Sequence, residues 1–82
     1  MTIHDYLRDK RLGLNLSQAD VADMLKLSSA QFVSNVERGL CNMPLKKLNI
    51  LVKHLKLDKN KVESLLTNQY KKKVRSALGL KS

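Results

Sequence analysis

Gln31, Ser34, Asn35 and Arg38 recur at three- and four-residue intervals, so on a helix they share one face. That face offers two carboxamides, a hydroxyl and a guanidinium. Such groups form paired hydrogen bonds with base edges in the major groove of duplex DNA, and a Gln or Asn amide pairs with N6 and N7 of adenine. Gln31 and Asn35 are the expected base readers, with Ala30 and Ser34 as close neighbours; Ala30 offers only a methyl group. The plainer alternative is an ordinary polar surface.

Two short helices must position this face. The first spans residues 17–25, with Ser17 as N-cap and Val21, Ala22 and Leu25 as its apolar stripe. The second spans residues 29–38. Ser28 or Ser29 caps it, Val33 and Val36 face inward, and Gly39 stops it in the left-handed conformation. A tight turn joins the two. Backbone phosphates are expected to meet Gln18, Ser28 and Ser29 at the helix starts, together with Arg38, Lys46 and Lys47.

The stretch SQADVADML…VSNVERG resembles the helix-turn-helix of the lambda-Cro/repressor-like family, of the xenobiotic-response-element type. Ser17-Gln18, Val21-Ala22 and Val36-Glu37-Arg38-Gly39 carry the likeness, and Arg11 and Pro44 fall where that family has them. It covers roughly residues 3–57. Lys26 stands near the place where the family usually has Gly, and the turn is one residue longer. The resemblance implies a lambda-repressor-like DNA-binding domain, base-contacting side chains at Ala30, Gln31 and Asn35, and a clamp from Arg11 to Glu37. It also implies a homodimeric, cytoplasmic regulator of transcription, a repressor or autoregulator, on half-sites about one helical turn apart.

The rest of the chain reads as all-α, a bundle of five helices, because Leu outnumbers β-branched residues and no run alternates cleanly. Helix one spans 3–14, with Thr2 as N-cap, Ile3, Leu7 and Leu14 on one face, and Asn15 as the left-handed stop. Phe32 sits between inner and outer faces and is expected to be partly buried. Leu40 and Met43 either suit a dimer contact or tuck under helix four. Pro44 takes the first position of helix four, residues 45–56, whose core stripe is Leu48, Leu51, Val52 and Leu55. Lys46, Lys47, Asn49 and Lys53 face out. Asp58 caps helix five, which has Val62, Leu65 and Leu66 for the core. Its pattern continues through Tyr70, Val74, Ala77 and Leu78 to a stop at Gly79, with residues 80–82 fraying. Residues 1–68 form the domain and 69–82 a basic helical extension, which serves a dimer, DNA phosphates or a protein partner, or lies back on the domain.

The formal net charge is +9 over 82 residues. Residues 1–40 carry five basic and five acidic side chains; residues 41–82 carry eleven and two. The excess lies wholly in the second half and points to a polyanion. Cys41 is the single cysteine, so neither an intrachain disulfide nor a cysteine-based metal cage can form. No metal, no cofactor and no membrane span are expected, and the N-terminus reads as no signal peptide. His4 and His54 stand far apart with no acid in a shared motif, so nuclease chemistry is not expected. An antitoxin-like interaction module on the same fold is the alternative. Single-stranded nucleic acid lacks its stacking platform in a chain with three aromatic residues.

Overall fold

A computed structural model describes residues 1–80, all of whose regular elements are helical: α1 (Ile3–Gly13), α2 (Gln18–Met24), α3 (Gln31–Glu37), α4 (Leu45–His54) and α5 (Lys59–Ala77). Two of the helix starts are built by the same local device. The Thr2 hydroxyl accepts from the Asp5 amide while the Asp5 carboxylate accepts from Thr2; Ser17 and Asp20 repeat this at α2. Each pair satisfies two amides that the helix leaves without a partner. Asp58 caps α5 alone, accepting from Asn60 and Lys61.

These backbone bonds hold the Asp5 and Asp20 carboxyls below the ordinary aspartate range. A carboxyl with a lowered folded-state pKa contributes stability above its unfolded pKa, and that contribution fades as pH falls through the folded value. An Asp5→Asn/Asp20→Asn variant is therefore expected to lose less Tm than wild type between about pH 4 and pH 2. Parallel melting curves across that range contradict this.

The core gathers one stripe from each helix. Ile3, Tyr6 and Leu7 come from α1, Val21 and Ala22 from α2, Val33 and Val36 from α3, Leu48 and Leu51 from α4, and Val62 from α5. Leu25, Met43, Leu55 and Leu57 fill in from the connections. Met43 thus tucks inside, whereas Leu40 is exposed, and Phe32 and Val52 are half-buried against the core. Leu14 corrects the expected face of α1. It is the C-cap, outside the helix and 43% exposed, because Asn15 turns the chain away at φ 58°. Tyr6 takes the core place instead, and its hydroxyl accepts from the Asp58 amide, tying α1 to the start of α5.

The turn between α2 and α3 leaves α2 through Lys26, a non-glycine residue in the left-handed region at φ 57°. The Leu27 amide then donates back to Ala22 at 2.9 Å, closing the helix end. Gly39 leaves α3 at φ 75°, where a side chain would be strained. Pro44 precedes α4 as its cap rather than forming its first residue. The division expected at residue 68 falls within α5, which runs unbroken to Ala77. Gly79 closes α5 at φ 72°, and the Leu80 amide donates to the Arg75 carbonyl at 2.7 Å, so Leu80 is tied down; the rest of the expected fraying concerns residues outside the described range. Among the described residues, no helix is long and apolar enough to cross a membrane.

Candidate nucleic-acid interface

α3 presents its polar side to solvent because Val33 and Val36 lock the other side into the core, where they are 2% and 1% exposed. Gln31 and Arg38 are exposed, Ser34 and Asn35 half-exposed. The side chains form a ladder along the helix. Gln31 Nε2 donates to Asn35 Oδ1 at 2.9 Å, and Arg38 Nη2 donates to the same oxygen at 2.9 Å. The expected face therefore exists and is open.

The ladder changes what each amide can read. An amide oxygen has two lone pairs, and those of Asn35 are taken by Gln31 and Arg38. Asn35 is left with its Nδ2 donors, which suit acceptors on a base edge. Gln31 spends one Nε2 hydrogen on the ladder and keeps a second hydrogen with its Oε1, the donor–acceptor pair that adenine N7 and N6 require. Gln31 therefore retains the bidentate pattern, and Asn35 is a donor and the hub of the ladder. Arg38 has five donors and gives one to it.

Behind the face, Arg11 and Glu37 fix the far end of α3. Arg11 Nε and Nη2 donate to Glu37 Oε2 and Oε1 at 2.7 and 2.9 Å, a bidentate fork. Arg11 Nη1 also donates to the Leu16 carbonyl at 2.8 Å. The two side chains are 10% and 6% exposed. The hydrogen bonds that Arg11 donates to Glu37 raise the Arg11 pKa above its ordinary value, outweighing the opposing effect of burial.

Two expected phosphate contacts, Gln18 and Lys47, are engaged elsewhere in the structure, and the expected cap of α3 differs. Gln18 Nε2 donates to Glu37 Oε1 at 3.1 Å, so this side chain joins the clamp instead of pointing freely from α2. Lys47 does not face out; it is half-buried, and its Nζ donates to the Leu25 carbonyl at 3.3 Å, where α2 ends. Neither Ser28 nor Ser29 caps α3. Its N-cap is Ala30, which has no capping side chain, and Ser29 Oγ accepts from the Gln31 amide only at 3.4 Å. Ser28, Ser29 and Lys46 are nevertheless exposed.

Sequence reasoning missed the contact of the loop after α3 with α5. Gln69 Nε2 donates to Asn42 Oδ1 at 3.3 Å and lies 3.3 Å from His4 Nε2, while His4 packs against Gly39. The Gly39 stop and the amides at 42 and 69 lie up to 30 residues apart in the chain, so no local spacing announces them. Among the described residues, no cluster of three or more His, Cys, Asp or Glu could hold a metal ion. Comparison with known proteins finds no matching family model, no matching curated protein and no matching solved structure.

Proposed function

We propose that the chain is a sequence-specific, double-stranded-DNA-binding regulator of transcription, acting as a homodimer that reads the major groove with α3. One observation carries the reading: the hydrogen-bonded ladder Gln31–Asn35–Arg38 lies open along a helix whose opposite side is locked in the core. Its two amides and its guanidinium are groups that pair with base edges. Ser28, Ser29 and Lys46 are the proposed phosphate contacts near the start of α3 and α4, and the basic second half supplies attraction that is independent of sequence. Repression or autoregulation is the proposed role, and cytoplasmic DNA the proposed site of action.

Selection of bound sites from random duplex DNA tests this directly. The expected result is a short half-site repeated with two-fold symmetry, about one helical turn between centres. Recovery of unrelated sequences rejects sequence-specific reading.

Lys71, Lys72 and Lys73 are all exposed on α5. Replacing all three by Gln is expected to flatten the dependence of log affinity on log salt by about 0.9 for each lysine that meets a phosphate. A titration with unchanged slope removes this end of α5 from the DNA contact.

A further inference from the structure

An open groove of about 540 Å³ runs between α4 and α5. Leu45 and Val52 form one wall; Val62, Leu66 and Tyr70 form the other. None of its lining belongs to α3, so it stands apart from the face proposed to meet bases. Val62 is buried, Val52 and Leu66 are half-buried, and Leu45 and Tyr70 are 72% and 71% exposed. A single exposed apolar residue needs no explanation, but a row along one groove marks a surface that something covers.

Shape narrows the occupant. Two helices flank a trough in which a third can lay its apolar side. Along α5 the lining runs from Lys59 to Lys71, about 18 Å of helix, which matches roughly three turns of a partner helix.

Charge narrows it further. α4 carries three basic side chains and no acid; α5 carries six, and Glu63 is its one acid. Lys46 and Lys53 on α4 and Lys59 and Lys71 on α5 are all exposed, so an occupant is bordered by cations on both sides. A second copy laid here would bring the same basic helices against them and is repelled. A bare polyanion satisfies the lysines and leaves Leu45 and Tyr70 uncovered. We infer that the groove takes an acidic amphipathic helix of another protein, its apolar side on Leu45, Leu66 and Tyr70 and its carboxylates toward Lys59 and Lys71. This inference stands on α4 and α5 and does not rest on the DNA reading.

Three synthetic peptides of about 18 residues, long enough to form a helix in water, test it against the full chain. The first has a Leu line at helical spacing flanked by Glu. The second has Lys in place of each Glu, and the third has Ala in place of each Leu. Amide NMR shifts of the chain locate the contact. The acidic Leu peptide should give saturable shifts confined to α4 and α5, with Kd below about 100 µM. Each of the other two should bind at least about tenfold more weakly. Tyr70→Ala and Leu45→Ala should each weaken the first peptide by about tenfold, as should the double exchange Lys59→Glu/Lys71→Glu. Helix content and melting temperature of these exposed-site variants should stay at wild-type values. No shift at up to about 1 mM peptide overturns the inference. Equal binding of the Ala peptide means that the lysines attract any polyanion, and equal binding of the Lys peptide means that the sign of charge is not read; either overturns it. Groove shifts that appear on concentrating the chain without peptide assign the groove to a second copy and overturn it too. The two proposals fail separately: a chain that selects a DNA sequence but ignores the acidic peptide sinks only this one, and the converse sinks only the regulator.

Discussion

Glu37→Ala is expected to destabilise the fold by roughly 3–5 kcal/mol, because it leaves the Arg11 guanidinium buried with two of its bonds unmade. Arg11→Ala should cost a similar amount: it strands the Glu37 carboxylate and also frees the Leu16 carbonyl. Small domains have only about 5–15 kcal/mol in all, so either change brings the chain near unfolding. In thermal terms each kcal/mol is worth about 4–8 °C at this size. The paired replacement Arg11→Met/Glu37→Leu should be far milder, since removing both charges also removes both desolvation penalties. Urea denaturation followed by circular dichroism separates the cases. Single variants that lose less than about 1 kcal/mol would mean that the pair behaves as a solvated one.

The clamp also shows how stability and the candidate site are joined. Glu37 ends α3, Arg11 belongs to α1, and Gln18 opens α2 and donates to the same carboxylate. Three helices therefore meet at one carboxyl group. Loss of the pair loosens the angle at which α3 is offered, so preference among DNA sequences should fall before the helices melt.

Much of this architecture was legible because it is local. Ser17 and Thr2 announce helix starts by residue type and place, and Asn15, Gly39 and Gly79 mark ends by their tolerance of positive φ. The apolar stripes at 33/36 and 48/51/55 followed from period alone. What stayed hidden was the competition between local preference and distant partners. Ser28 and Ser29 have the residue type of a cap, yet Lys26 turns the chain so that α3 begins only after Ala30. Lys47 reads as a solvated lysine, but a free carbonyl at Leu25, 22 residues earlier, takes its Nζ. Gln18 reads as a phosphate contact until Glu37, 19 residues on, is placed beside it. The α3 face was found from spacing; the ladder that gives Gln31 and Asn35 different hydrogen-bonding capacities was not, because it depends on which rotamers the neighbours adopt.

That difference yields the second large effect. Gln31→Ala is expected to lose roughly 1–3 kcal/mol of discrimination per half-site, and about twice that on a two-fold operator, while affinity for random duplex stays nearly intact. Asn35→Ala should cost more than its own contact, because Gln31 and Arg38 both lose the oxygen that orders them. Asn35→Asp isolates the two roles. It keeps an acceptor for Gln31 and Arg38, so the ladder survives, but it replaces the Nδ2 donors with a second acceptor. If Asn35 reads a base acceptor, this variant loses operator preference as fully as Asn35→Ala does. If Asn35 serves only as the hub, Asn35→Asp keeps the preference that Asn35→Ala abolishes, and Gln31 alone carries the reading. Competition binding on the selected operator and on random duplex at one fixed salt concentration distinguishes these outcomes. Equal losses on both duplexes, for all three variants, would remove α3 from the base edges altogether.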